Sequence, residues 1–359
     1  MRKEKNKYVF AADAGRFKRS HRIRNTVLIL IPLLILTFVI SNITVSRRVR
    51  LEEVRLTVLN LPSDLEEYSI LHISDLHGAR YGEKQKAIKT ALGNTRYSCV
   101  VMTGDMLGDN GEVEPLLELI DLMPGDTPKY LIPGDMDGDL VDSNSHGSLS
   151  PYSDWAVKLQ EAGVTLVDRP VSETRGKGTI RFIPEDIYLL DIDVTESVYQ
   201  KQLDTLNQRA GSMTADEAAR MRVLEYELER LEEVREIKKE VAPEDIQIVL
   251  THTPLTDAYV RDMITWTQKE NVFAIRYASL ILAGHYNGGQ WRIPWVGAIH
   301  VPELGWFPED SLIQGLSYPG GIPQYISPGL GSDPHYENRP GRVYNPPVIT
   351  RIVLTRKAN

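Results

Sequence analysis

Apolar and polar positions divide the chain into two regions. Thr26 to Val45 is a run of 20 uncharged, mostly apolar residues. A helix rises about 1.5 Å per residue, so this run would be about 30 Å long, the thickness of the hydrocarbon core of a bilayer. From about residue 53 onward, short β-rich runs alternate with helical patterns instead. This alternation predicts an α/β fold.

The expected elements follow from these periodicities. The β-rich runs predict strands at Val54–Leu61, Tyr68–Ser74, Cys99–Thr103, Lys129–Ile132, Gly178–Phe182, Ile187–Asp191, Ile246–Leu250, Ser279–Ala283, Gln324–Ser327 and Val348–Leu354. The helical patterns predict helices at Glu83–Leu92, Val113–Leu122, Asp154–Ala162 and Asp257–Thr265.

A highly charged segment, residues 195–242, has a helical pattern of its own. Thr214 and Glu217 have the spacing of a capping box, and an apolar stripe runs from Met221 to Val234 at spacings of three and four. We predict a hairpin of two amphipathic helices inserted into the α/β domain. Two roles remain open for it: a solvated insertion that packs its own stripe, or a lid or arm for self-association.

The charge is unevenly distributed along the chain. Residues 1–50 carry 12 Lys/Arg and 2 Asp/Glu, whereas the remainder carries 29 and 47, within a net charge of −8. The positive-inside rule therefore predicts a basic cytoplasmic segment at 1–25, a single-pass anchor in the cell membrane at 26–46, and an extracytoplasmic body. A cleaved signal peptide is the alternative, but the apolar run is long for one and no clear small-x-small cleavage site follows it.

Composition limits the partners and the kinds of site that the chain can have. The acidic body is a poor polyanion binder, so we expect no nucleic acid partner. Cys99 is the single cysteine, which excludes an intramolecular disulfide and a Cys-rich metal site.

Several predicted strands end in Asp, His or Gly. The strand ends are Asp75-Leu76-His77, Gly104-Asp105, Gly134-Asp135-Met136-Asp137, His252 and Gly284-His285-Tyr286-Asn287. Ligand sites in open α/β sheets form at the carboxyl ends of strands. Because clustered carboxylates are costly without a neutralising cation, these ends predict a metal site.

The order of these motifs resembles that of the calcineurin-like metallophosphoesterase superfamily. The chain is similar to its membrane-anchored bacterial subgroup over about residues 50–355, with further likeness at Gly288-Gly289-Gln290 and at residues 327–331 and 346–348. The resemblance implies a four-layer α/β/β/α sandwich at 50–359, with 195–242 as an insertion. It also implies a centre of two divalent metal ions, at which activated water hydrolyses a phosphate mono- or diester.

The resemblance also implies a role for each motif residue. Asp75, His77 and Asn287 would bind the first metal, Asp105 would bridge both, and Asp135, His252 and His285 would bind the second. The residues expected to serve catalysis are Asp105, Asp135 and Asp137.

The chain departs from the family pattern at three positions. Asp135 and Met136 replace the Asn and His of a Gly-Asn-His-Asp motif, and Asn287 replaces a His. Oxygen ligands favour manganese or magnesium over zinc, with iron as a further alternative, so we expect manganese. The thioether of Met136 cannot donate a proton to a leaving group, as the family's His does.

Two functions therefore remain open. One is a working phosphoesterase that obtains a proton from metal-bound water or from another residue such as His300. The other is a degenerate protein that retains metal and acts in binding or regulation. Anchoring would place the site near a membrane, so the expected partners are the membrane and a lipid-linked or cell-envelope phosphoester.

Overall fold

A computed structural model describes residues 9–141, 151–209, 212–269, 272–333 and 341–356, with side chains from residue 24 onward. The helices are α1 Val9–Ser46, α2 Lys86–Leu92, α3 Glu114–Ile120, α4 Asp154–Glu161, α5 Ile192–Asn207, α6 Ala215–Glu240 and α7 Asp257–Trp266. The strands are β1 Arg50–Thr57, β2 Ser69–Ile73, β3 Cys99–Thr103, β4 Lys129–Ile132, β5 Thr165–Leu166, β6 Val171–Arg175, β7 Gly178–Pro184, β8 Ile246–Leu250, β9 Ala278–Ala283, β10 Arg292–Ile293, β11 Gly297–Ala298, β12 His300–Val301, β13 Gly305–Trp306, β14 Gly315–Ser317, β15 Gln324–Ile326 and β16 Val348–Thr355.

The chain divides into two compact units, residues 1–47 and 48–359. The first contains α1, whose segment Arg24–Ser46 is exposed and has a mean hydropathy of 2.5. This segment is long and apolar enough to cross a membrane, and a signal sequence would have the same properties. Pro32 lies within the helix.

The second unit, which we call the body, contains two mixed sheets. Sheet A has the order β1-β16-β2-β3-β4-β5, and sheet B has the order β14-β15-β9-β8-β7-β6. Strands β2 to β5 run parallel, as do β7, β8, β9 and β15. Strand β16 lies between β1 and β2, parallel to the first and antiparallel to the second. The α/β class is confirmed.

Side chains alternate between the two faces of each strand, and this alternation separates three apolar clusters. Between the sheets, Ile70 and Val101 of sheet A share a cluster with Ile248 and Leu282 of sheet B. The other face of sheet A packs on α2, α3 and α4, through residues such as Ile88, Leu116 and Ala156. The other face of sheet B packs on α6 and α7, through residues such as Val234, Val260 and Met263.

One predicted strand is wrong. Residues 187–191 form no strand, because the chain makes a 3-10 turn over Glu185–Tyr188 and then begins α5 at Ile192. Ile187 and Tyr188 are nevertheless buried in the cluster under α6 and α7, which explains the apolar run. The sequence analysis also missed the short strands β5, β6 and β10 to β14.

The segment predicted as a helical hairpin contains α5 and α6. Thr214 caps α6, and the capping box with Glu217 is confirmed. Leu224, Leu231 and Val234 of the apolar stripe are buried. The link between the helices includes residues 210 and 211, which lie outside the described residues.

Candidate metal centre

The polar strand ends of both sheets meet at one place. Sheet A supplies the residues that follow β2, β3 and β4, and sheet B supplies those that follow β8 and β9. Backbone hydrogen bonds join neighbouring ends: the amide of Asp75 donates to Gly104 O (2.9 Å), and that of His77 donates to Asp105 O (2.9 Å). The amide of His285 donates to Asp75 Oδ1 (2.9 Å) and so ties sheet B to sheet A.

The backbone at this centre is strained. Asp75, His77, Asp105, His285 and Asn287 have φ values of 52°, 46°, 53°, 78° and 50°, in the left-handed region that residues other than glycine rarely adopt. Such conformations cost of order 1 kcal/mol or more each and persist only where the surroundings impose them. All five are predicted metal ligands, and nine other described residues besides glycine also have positive φ.

Two glycines allow the strand ends to approach one another. A Cβ on Gly104, whose φ is +82°, would lie 2.6 Å from His252 Nδ1 and 2.6 Å from Gly134 N. A Cβ on Gly134 would overlap the amide nitrogen of Asp105. Any larger side chain at these positions would separate β3, β4 and β8 where their ends converge.

The first cluster of ligand atoms belongs to Asp75, His77 and Asp105, which lie within 4.8 Å of one another. His77 Nε2 is 3.9 Å from Asp105 Oδ2, and the amide nitrogen of Asn287 is 3.3 Å from His77 Nε2. The hydroxyl of Ser74 donates to Asp75 Oδ2. Asp75 is fully buried, so burial raises the pKa of its carboxyl to about 6.

The second cluster joins Asp105, His252 and His285, again within 4.8 Å. His252 Nδ1 is 2.8 Å from Thr103 O. Because a carbonyl oxygen can only accept, Nδ1 carries the proton, and Nε2 faces Asp105 Oδ2 (3.2 Å) and His285 Nδ1 (3.3 Å). A carbonyl that fixes the tautomer in this way is the usual support of a metal-binding histidine.

Asp105 belongs to both clusters and is held in place. Its Oδ1 accepts the amide hydrogen of Met136 at 2.8 Å, which leaves Oδ2 toward the histidines. Burial acts to raise the pKa of Asp105, but the hydrogen bond and charge of His252, the amide of Met136 and the charge of His77 together outweigh it and lower that pKa. Burial acts to lower the pKa of His252, but the hydrogen bond to Asp105 and the charge of Asp75 raise that pKa to about 9. Burial lowers the pKa of His77.

The two candidate carboxylates of the loop after β4 differ in placement. The carboxylate of Asp135 is largely exposed, with Oδ2 at 3.4 Å from His285 Nδ1. Asp137 is buried, and its carboxylate accepts three backbone amides at 2.8 Å each: Met106 and Leu107 on Oδ1, and Gly134 on Oδ2. Asp137 therefore braces the loops after β3 and β4 from inside the fold.

The donor set fits a pair of divalent cations. Two buried carboxylates and three imidazoles converge, and neutralising cations would offset the cost of this clustering. Within the described chain, the buried oxygen Asn287 Oδ1 has no hydrogen-bond partner and is therefore free to accept a cation, although Nδ2 of the same amide is the atom that lies 3.3 Å from His77 Nε2. Asp75, His77 and Asn287 would hold one ion, and His252 and His285 the other, with Asp105 shared and Asp135 within reach of the second.

Sequence analysis missed the supports of the centre. Asn345 donates to the backbone oxygen of Asn287 at 2.7 Å and so fixes that strained residue. The buried Arg342 donates to Gly331 O (2.6 Å) and Pro328 O (2.9 Å), in the loop whose glycines pack against Asp75. No local pattern marks either residue, because their partners are main-chain atoms that the fold brings near.

A cavity of about 70 Å³ opens beside the centre. Its lining includes His285, Asn287, His300, Glu303 and Gln290. Glu303 Oε1 is 4.0 Å from His285 Nε2. His300 thus lies beside the candidate ligands rather than at a distant surface.

Comparison with known proteins agrees with this centre. The family model for calcineurin-like phosphoesterases matches residues 68–287, a span that begins just before β2 and ends at Asn287. The chain belongs to the calcineurin-like phosphoesterase family. The resemblance inferred from the motif order is confirmed at this level, and the chain is by family membership a phosphoesterase hydrolase.

Two solved structures also match the chain. Phosphopantetheinyl hydrolase from Mycobacterium tuberculosis is 15% identical, with 80% of this chain and 96% of that chain covered and a TM-score of 0.37. A protein assigned as a 5′-nucleotidase from Staphylococcus aureus, in complex with alpha-ketoglutarate, is 10% identical, with a TM-score of 0.34. That alignment covers 82% of this chain and 55% of the second. No curated protein matches the chain.

Proposed function

We propose that this protein is a membrane-anchored metallophosphoesterase that hydrolyses a phosphate mono- or diester outside the cytoplasm. The observation that carries the proposal is the pair of ligand clusters that share Asp105. When bound, two divalent cations would polarise the phosphoryl oxygens and activate water. The oxygen-rich donor set favours manganese or magnesium, with iron and zinc as alternatives.

The residues of the chain have definite parts in this activity. Asp105 holds the two ligand clusters together while the Met136 amide fixes its orientation. His252 keeps its Nδ1 proton on Thr103 O, so its Nε2 lone pair is available to a cation once the imidazolium proton leaves. His300 is our candidate for the proton donor to the leaving group, because it lines the cavity that also contains His285.

Anchoring rests on α1 and on the charge that surrounds it. The segment Arg24–Ser46 meets the length and hydropathy expected of a span. The excess of Lys/Arg before it favours a cytoplasmic amino terminus, which would leave the body on the opposite side. A substrate with a lipid-linked or cell-envelope phosphate suits that location.

A metal-retaining binding or regulatory protein is the second candidate. Met136 favours it, because the side chain at this position is a thioether that is 43% exposed and cannot donate a proton. The two candidates differ in turnover and agree in metal content, so both quantities must be measured on one sample.

The test uses purified body, residues 48–359, loaded with manganese and offered aryl and alkyl phosphate mono- and diesters. We expect bound metal and turnover in the wild type, and loss of both in Asp105→Asn. Asp109→Asn is the matched control, because Asp109 is exposed, lies in the same loop and undergoes the same change of charge. Bound metal without turnover would support the second candidate, and absence of both would contradict both candidates.

A further inference from the structure

Residues 291–307, next to the metal centre, form two short antiparallel hairpins. Strand β10 pairs with β11, and β12 pairs with β13. The hairpins are joined by hydrogen bonds from Ile299 N to Trp291 O (2.8 Å) and from Phe307 N to Ile299 O (3.0 Å). We call residues 291–307 the aromatic platform.

The platform is packed directly onto the loop that carries two candidate ligands. Ala298, Val301 and Ile313 form a buried cluster against which Tyr286 packs, and Tyr286 lies between His285 and Asn287 in sequence. Gly289 has a φ of +75°, and a Cβ there would overlap that of Ala298. Motion of the platform would therefore move the metal centre with it.

The outward side chains of the platform are large and apolar. Trp295 is fully exposed, while Val296, Trp306 and Phe307 are 64%, 71% and 57% exposed. The Trp306 ring lies 6.4 Å from that of Phe307. Soluble surfaces rarely concentrate such side chains without a partner.

The backbone holds two of these aromatic residues in strained conformations. Trp295 has a φ of +66° and Phe307 a φ of +52°, where a bulky residue is a genuine outlier. Glycine or asparagine would relieve this strain, and burial cannot offset it because both side chains are exposed. The strain therefore indicates that display of these rings serves contact with something outside the chain.

Charge and chain length favour a lipid surface as that partner. Arg292 and Glu303 are the only Lys, Arg, Asp or Glu residues in the platform, and Arg292 is paired with Asp310. The segment thus offers no net charge to a complementary protein. Helix α1 ends at Ser46 and β1 begins at Arg50, so only three residues of the chain link the proposed anchor to the first strand of the body. An anchored body would be held at the bilayer surface, where exposed Trp and Phe side chains partition favourably.

We propose that the aromatic platform inserts into the headgroup region of the bilayer and presents the metal centre to phosphoesters at that surface. This proposal rests on the proposed anchoring and is independent of turnover. Because the attraction is apolar, binding to zwitterionic vesicles should not weaken at high salt. Each aromatic side chain removed should reduce the partition coefficient by about tenfold.

The experiment uses the body without α1, so that the helix itself cannot bind the vesicles. The described apolar clusters of the body include no residue of α1, and Val49 is their first residue in the chain. Residues 48–359 therefore contain a complete core. Co-sedimentation with phosphatidylcholine vesicles compares wild type, the double variant Trp295→Ser/Trp306→Ser, and the control Trp266→Ser. Trp266 is 63% exposed on α7, outside the platform.

We expect the wild type and Trp266→Ser to bind equally and the double variant to bind about a hundredfold less, with an unchanged melting temperature. Equal binding by all three proteins, or no binding by the wild type, would overturn the proposal. A dimer of the wild-type body in light scattering that the double variant loses would assign the platform to a second copy instead and overturn it as well. Turnover of a soluble aryl phosphate is measured in parallel, so an inactive protein that still binds vesicles would count against the proposed function alone.

Discussion

Replacement of Asp137 by Asn tests whether this carboxylate braces the centre or acts in catalysis. Asp137 is only 4% exposed and accepts amides from Met106, Leu107 and Gly134 at 2.8 Å each. An Asn side chain can keep its oxygen toward Met106 and Leu107. Its NH2 group must then face the amide of Gly134, where two donors meet.

The cost follows from these contacts. One charge-assisted hydrogen bond is lost, two others become neutral, and the half-buried Gly134 donor loses its partner, for a total of about 2–4 kcal/mol. We therefore expect Asp137→Asn to lower the melting temperature of the metal-free body by several degrees in calorimetry. Asp139→Asn is the matched control, because Asp139 is exposed in the same loop and should change the melting temperature little.

The result that refutes this reasoning is equally specific. If Asp137→Asn has the same melting temperature as the wild type and Asp139→Asn, the three amide contacts do not brace the loop. If Asp137→Asn keeps its stability but loses turnover of an aryl phosphate, Asp137 would instead have the catalytic role that the family resemblance implies.

Three further predictions follow from the geometry. The pKa of His252 is raised to about 9 in the metal-free protein, so manganese must displace a proton from His252 when it binds near neutral pH. Calorimetry of manganese binding in two buffers of different ionisation enthalpy should show this proton release, and the affinity for manganese should rise toward pH 9. Equal binding heats in the two buffers would contradict this. Gly104→Ala should lower the melting temperature far more than Gly111→Ala. Both glycines have positive φ, but a Cβ on Gly104 would overlap its neighbours, whereas a Cβ on Gly111 meets nothing within 4 Å. Equal melting temperatures of the two variants would contradict the steric argument. Met136→His should increase turnover most for substrates with alkyl leaving groups, because these need a proton from a general acid. A gain that is the same for all leaving groups, or no gain, would show that residue 136 does not occupy the position of a general acid.

The strand ends that form the centre were predictable from the sequence because their signal is local. Each is a short, nearly continuous apolar run that is followed within three residues by Asp or His, as in the residues from Ser69 to His77. Parallel strands place such ends at one sheet edge, so Asp75 and Asp105 of sheet A meet without further information, whereas His252 follows β8 of sheet B and reaches them through the packing of the two sheets. The structure brings them within a few ångströms of each other.

The remaining features depend on contacts far apart in sequence. Asp137 and Met106 are 31 positions apart, and Asn345 and Asn287 are 58 apart, so no window of sequence reveals their hydrogen bonds. Strand β16 enters between β1 and β2 from the far end of the chain. The run at 187–191 shows the limit of periodicity, since buried Ile187 has the same apolar signal in a turn as in a strand.

The strain at the centre bears on whether the site is still used. Five candidate ligands hold positive φ values, at a combined cost of roughly 5 kcal/mol or more, comparable with the net stability of a typical domain. A site that had lost its ions could relax by ordinary substitutions, for example glycine or asparagine at Asp75 or His285. The chain instead keeps the carboxylates and imidazoles in these conformations, and Asn287, which replaces the family's His, has a buried oxygen with no hydrogen-bond partner among the described residues. Retained strain at these residues thus supports retained metal binding, and the change at Met136 affects a side chain that is 43% exposed and is not one of the candidate ligands. The two candidate functions therefore differ at the proton donor, not at the metal centre.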